Sequence, residues 1–324
     1  MAGSSKKVIY AALAGNALIA TTKFIAASVT GSSAMLSEGI HSLVDTGNQV
    51  LLLHGLARSK LPADEQFPFG HGKEVYFWSF AVAILIFAVG AGVSLYEGVL
   101  HILHPHPMES PIVNYVVLGL AILFEGMAWY LALTEFSKAK GKSGYFEAVR
   151  RGKDPTMFVV LFEDSAAMLG LLVALIGIML GQLTANPYFD GAASIGIGLI
   201  LGGTAVWLAY ETKSLLIGEA ASRSVVDGIR EIASSYENVE QVNEVLTMHM
   251  GPEFVLVNLS INFGDTTSSK EVERIVVSID AAIKRVFPVV KRVFIEGEAR
   301  KPDRPGRAQP LPEPVAEKQP GRAE

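Results

Sequence analysis

The chain contains no cysteine, which excludes disulfides and thiolate metal sites. Charge is scarce as well. Only 18% of its 324 residues are Asp, Glu, Lys or Arg, against 50% hydrophobic, and the mean hydropathy is +0.36. That balance is too apolar for an ordinary soluble protein and implies several membrane spans. A nucleophile–base pair and a phosphate-binding glycine loop are missing from any suitable context, so an enzyme reading has no support. The apolar segments lack an aromatic cage, which disfavours an organic cation as ligand. The net charge of -5 decides little, because the placement of charge matters more than its sum.

Lysine and arginine are also absent from three connections, near 30–33, 102–111 and 183–188. These join six apolar segments, near 8–29, 33–57, 75–101, 111–136, 157–182 and 189–212, each long enough to cross the hydrocarbon of a bilayer. Arg58, Lys60 and Lys73, then Lys138, Lys140, Lys142, Arg150, Arg151 and Lys153, fill the alternate connections, and Lys6, Lys7 and Lys213 fall on their side. The positive-inside rule makes that side, and both termini, cytoplasmic. The basic start and first apolar run are read as an uncleaved span because Lys23 interrupts them. Gly198 and Gly202 give the last span a small-residue face for close helix packing.

From about 219 the composition becomes that of a soluble domain. VVDGIREIASSYENV has helical apolar spacing, whereas QVNEVLTMHM and FVLVNLSINF read as strands parted by Gly251-Pro252. Ser268 and Glu271 have capping-box spacing before a second helix, and KRVFIEGE reads as a third strand. The expected fold is therefore an all-α membrane bundle of six helices (1–215), followed by a small cytoplasmic α+β domain of α-β-β-α-β, ferredoxin-like order (216–300). A Pro-rich, polar tail (301–324) is expected to be disordered.

Each charge inside a span costs about 2.5–3.5 kcal/mol on insertion scales and so needs a reason. The second span holds Glu38, His41, Asp45 and His54. His41 and Asp45 are one helical turn apart, so their side chains share a face. Imidazole and carboxylate together suit a borderline divalent ion such as Zn²⁺. On the fifth span Glu163 and Asp164 lie at similar depth. If the two helices face each other, His41, Asp45 and Asp164 give three ligands, and Glu163 or water completes a tetrahedron. The alternative is an interhelical hydrogen-bond network that only holds the bundle. Bound metal needs deprotonated ligands, so His41 and Asp45 are the expected proton-coupling groups.

Other ionisable groups leave more than one reading open. Asp64 and His71, around FPFGHGKE, either bind a second ion or belong to a glycine-based turn. Glu97 and Glu125 relay protons, pair with Lys23, or sit near helix ends. His101, His104 and His106 are expected in an exposed loop, and His54 as a packed or interfacial side chain.

SEGIHSLVDTGNQ, FGHGKE, EDSAAMLG and the α-β-β-α-β tail together resemble the cation diffusion facilitators, which include zinc transporters. The resemblance covers almost the whole chain to about 300. It implies homodimers in a lipid bilayer that export divalent metal from the cytoplasm in exchange for protons. The metal is the transported substrate, with no cofactor and no nucleic-acid partner. It implies a tetrahedral site between the second and fifth spans, with His41, Asp45 and Asp164 in the ligand positions. Two departures stand out. The usual His or Asp four residues before the fifth-span aspartate is here Val160, which cannot bind metal; Glu163, beside Asp164, is the substitute, but points about 100° away around the helix. The tail domain offers His249, Asn258, Glu296 and Glu298, a set poor in histidine, so weak or absent metal regulation is expected there. Zn²⁺ is the first expectation. Preference for Mn²⁺, Fe²⁺, Co²⁺ or Cd²⁺, or a metal sensor without transport, are the alternatives. A bacterial inner (plasma) membrane is the expected location, with an organelle membrane as the other.

Overall fold

A computed structural model describes residues 2–105, 111–140, 144 and 155–299. Helix α1 (Ala2–Thr30) ends at Gly31, whose φ of 66° is a left-handed conformation that favours glycine. The Ser32 side chain then accepts from the Met35 amide and caps α2 (Ser33–Arg58). Helix α3 (Glu74–Leu85) passes through a π-helical turn (Ile86–Ala91) into α4 (Gly92–Leu103). Helices α5 (Pro111–Lys140), α6 (Pro155–Thr184) and α7 (Tyr188–Ile217) follow. These limits agree with the apolar segments of the sequence. Only the π turn, inside what reads as one uninterrupted span, was not expected.

Among the described residues, four stretches are long and apolar enough to cross a membrane: Glu74–Leu103, Ile112–Lys138, Phe158–Thr184 and Tyr188–Ile217. Helix α2 has similar length but carries Glu38, His41, Asp45 and Asn48, which lower its hydropathy. Large apolar side chains such as Leu131, Leu199 and Tyr210 face outward from the bundle, as a lipid-facing surface requires. Its interior is filled by Met35, Tyr76, Leu118, Phe158, Leu171, Leu201 and Leu208.

Helices α4 and α7 meet backbone to backbone. A Cβ at Gly98 would lie 2.8 Å from the Gly191 carbonyl oxygen and 2.7 Å from the Ile195 side chain. One at Gly198 would lie 2.7 Å from Leu95, whereas Gly202 has 3.6 Å of room beside Ala91. The small-residue face of α7 thus extends back to Gly191, against α4. Gly98→Val is expected to destabilise the bundle by about 1–3 kcal/mol through overpacking. Denaturant unfolding in micelles checks this, and a wild-type midpoint would contradict the close crossing.

The C-terminal unit contains α8 (Arg223–Ser234), β1 (Val239–Gly251), β2 (Phe254–Phe263), α9 (Ser269–Val286) and β3 (Val290–Gly297), in the expected α-β-β-α-β order. The sheet order is β1-β2-β3, antiparallel for β1–β2 and parallel for β2–β3, with α9 as the crossover. Val255, Val257, Leu259 and Ile261 alternate along β2 and are buried together with Ile229 and Ala233 of α8 and Ile275, Ile279 and Ile283 of α9. Ser268 caps α9 by accepting from the Glu271 amide. The Glu271 carboxylate accepts instead from Asn238, 3.0 Å away, so half of the expected capping box forms. The β1–β2 turn rests on the α2–α3 loop, where a Cβ at Gly251 would lie 3.0 Å from Gly72 Cα. The tail at 301–324 lies outside the described residues.

Candidate metal centre

Helix α2 carries polar residues at 38, 41, 42, 45, 48 and 49, a stripe with helical spacing. His41 is 1% exposed, and its Nδ1 lies 3.3 Å from Asp45 Oδ1, out of line for a hydrogen bond. Neither ring nitrogen of His41 has a hydrogen-bond partner among the described residues. A buried imidazole with both nitrogens unused is costly unless something binds it.

Between α1, α2, α5 and α6 lies a cavity of about 250 Å³, on whose wall stand Ser42, Asp45, Gln49, Glu125, Val160 and Asp164. The structure therefore brings Asp45 and Asp164 to one cavity, with His41 beside Asp45. Val160 is on the same wall, so the α6 position four residues before Asp164 does face the cavity, with an apolar side chain. Glu163 is turned away from it. It is 3% exposed and accepts from Asn48 Nδ2 at 2.6 Å. Among the described residues no three His, Asp or Glu side chains stand ready-grouped around a metal position. The arrangement is a wall of donors rather than a closed cage.

A buried cation adjoins that wall. The Lys23 ammonium, 0% exposed, donates to Glu38 at 3.1 Å, Ser42 at 2.8 Å and Glu125 at 2.8 Å. Of the three readings open for Glu125, the structure realises pairing with Lys23, which ties α1, α2 and α5 together. The contributions of Glu38, Ser42 and Asn48 were not assigned from the sequence. The polar stripe on α2 was the signal that could have found them.

At the other end of α2, Asp190 of α7 accepts from Ser32 Oγ at 2.6 Å, the Ser33 amide at 2.6 Å and Ser33 Oγ at 3.0 Å. His101 Nε2 lies 3.8 Å from the same carboxylate. His101 thus belongs to the last turn of α4 and is largely buried, which corrects its placement in an exposed loop. The expected third span, near 75–101, already ended on this residue. His104 is exposed, and His106 lies outside the described residues. Glu97 lines a second cavity of about 480 Å³ with His101 and His104. His54 packs edge-on against Trp78 at 4.9 Å.

In the α2–α3 loop, His71 Nε2 and Asp64 Oδ2 are 2.9 Å apart, and Gly70 takes a φ of 81°. There is a glycine turn, and it brings the two side chains together. The hydrogen bond with His71, with a further one from the Phe67 amide, holds the Asp64 carboxyl below the usual carboxylate range. In the tail domain Asn258 donates to Glu296 at 3.3 Å, Ser260 donates to Glu298, and His249 is buried in β1.

An acidic cavity among apolar helices is the arrangement of a membrane protein that handles cations. The chain belongs to the cation efflux family, the cation diffusion facilitators. Residues 9–217 match the cation efflux transmembrane domain. It is thus a multi-pass integral membrane protein of a family of transporters, not enzymes. The chain is 36% identical over 260 residues to the mitochondrial proton-coupled zinc antiporter of Xenopus laevis, covering 79% of this chain and 46% of that protein. It is 29% identical over 261 residues to metal tolerance protein C4 of Arabidopsis thaliana, covering 80% and 57%. It is 26% identical over 281 residues to the cation-efflux pump FieF of Escherichia coli, covering 86% and 87%. The chain spans less than half the length of the zinc antiporter.

Proposed function

We propose that this protein exports a divalent metal cation, Zn²⁺ foremost, from the cytoplasm in exchange for protons. The observation that carries this reading is the buried His41, its ring nitrogens without hydrogen bonds, beside Asp45 on a cavity that Asp164 shares. His41, Asp45 and Asp164 hold the ion. Glu163 joins them only by leaving Asn48. Metal binding requires these ligands deprotonated, so loading the ion expels protons, and protons arriving at His41 and Asp45 release it. The likeness to a proton-coupled zinc antiporter supports the same coupling. Carboxylates outnumber imidazoles on the wall, and such a site also takes Mn²⁺ or Fe²⁺, which is the second reading.

In this reading α1 and α2 also span the bilayer. They make six crossings with both termini cytoplasmic, supported by the basic connections. The tail unit is a ferredoxin-like sandwich with three strands among the described residues. The sheet side bearing the exposed Leu246, Met248 and Phe294 serves homodimer formation. Asp64 and His71 form a second, peripheral ion site. The likeness to bacterial FieF supports the inner membrane of a bacterium. Purified protein in liposomes loaded with a zinc-sensitive dye is expected to move Zn²⁺ only while a pH difference is maintained. Flux unaffected by collapsing that difference would refute proton exchange, and no flux of any divalent ion would refute transport.

A further inference from the structure

We propose that Glu125 is a further cation-contacting carboxylate of the transport cavity, contributed by α5, with Lys23 as its positioning residue. The inference rests on the metal-transport reading above. Glu125 stands on the same cavity wall as Asp45 and Asp164. Its two oxygens are used unequally. Oε1 accepts from Lys23 at 2.8 Å, whereas Oε2 is buried and has no hydrogen-bond partner among the described residues. A carboxylate tethered through one oxygen presents the other at a fixed place, as a monodentate ligand requires. The buried, unbonded ring of His41 marks the same region as built for a ligand.

The donor count points the same way. Helices α2 and α6 supply His41, Asp45 and Asp164, which is three donors where a tetrahedral ion takes four. The α6 position that faces the cavity is Val160, and Glu163 is turned to Asn48. Glu125 supplies the fourth donor from a third helix.

A merely structural role would make Glu125 only a counter-ion for Lys23. The protein contains the control for this. Glu38 also pairs with Lys23, at 3.1 Å, and is fully buried. It does not stand on the cavity wall; its Oε1 instead abuts Gly170, where a Cβ would come within 2.5 Å. Both carboxylates serve the lysine, but only one faces the cavity.

The test measures Zn²⁺ binding to the full-length protein in micelles by competition with a fluorescent chelator. Wild type, Glu125→Gln, Glu38→Gln and Asp164→Asn are compared, with thermal unfolding recorded for each. Glu125→Gln is expected to weaken binding by about tenfold or more, and Glu38→Gln by less than about threefold. Equal losses in the two, or a Glu125→Gln affinity within about threefold of wild type, overturn the inference. If Glu125→Gln does not fold, Glu125→Asp keeps the charge and is judged by the same threefold margin. Asp164→Asn separates the two levels. If it binds Zn²⁺ like wild type, the cavity is not the metal site and the transport reading fails. If it loses binding while Glu125→Gln retains it, only the role of Glu125 fails.

Discussion

Asp164→Asn is expected to stop zinc flux into liposomes while making the metal-free protein harder to unfold. Asp164, Asp45 and Glu125 share one cavity wall, and Glu163 is buried next to Asp164 in the chain. Carboxylates crowded on one buried wall disfavour one another's ionisation, and without metal no divalent ion offsets this. The amide keeps the shape of the side chain and removes one of these charges, so the bundle relaxes. It also removes an anionic oxygen that the ion needs. Losing an outer-shell partner of a ligand already costs about 10–100-fold in affinity, and losing the ligand itself is expected to exceed about 100-fold. Stopped-flow flux and thermal unfolding in the presence of a chelator measure the two effects. Wild-type flux, or a lower unfolding temperature, would show that Asp164 is a structural group and not a ligand. His41→Ala is expected to abolish flux as well.

Lys23→Met is expected to destabilise the bundle by about 3–5 kcal/mol, the cost of removing one partner from a buried ion pair. Methionine fills the space of the lysine stem but leaves Glu38, 0% exposed, and Glu125, 15% exposed, without their shared cation. Neutralising all three groups, in Lys23→Met with Glu38→Gln and Glu125→Gln, is expected to recover most of that loss, because a complete buried network exchanged for neutral groups is close to neutral in stability. It is not expected to recover zinc affinity, since a cavity carboxylate is gone. Unfolding midpoints of the single and triple variants decide the matter. A single variant as stable as wild type would mean that the lysine contributes nothing net.

The helical rods could be read from the sequence because uninterrupted apolar runs mark their own ends, and the tail domain because period-two strands and period-3.6 helices alternate there. Glu163, counted from the sequence as a candidate fourth ligand, lies about 100° from Asp164 around the helix, off the cavity wall and against Asn48. The partners of the buried charges could not be read from the sequence. Lys23 and Glu125 are 102 positions apart, and Asn48 and Glu163 are 115 apart. The rotation of one helix against another, which decides such pairs, leaves no periodic trace in a chain. His101 was misplaced because its histidine-rich, Pro-interrupted surroundings look like a loop, while α4 continues to Leu103 and Asp190 gives the imidazole a carboxylate.

The grip of Asp190 on Ser32 and Ser33 makes the start of α2 a fulcrum. From Ser33 to Asp45 the helix rises about 18 Å at 1.5 Å per residue. A tilt of about 10° around that pinned end therefore carries the Asp45 carboxylate sideways by about 3 Å over this rise. Such a stroke matches the difference between a carboxylate touching an ion and one a water molecule away, so, under the proposed transport reading, a small lean of a single rod would suffice to load or unload the cargo.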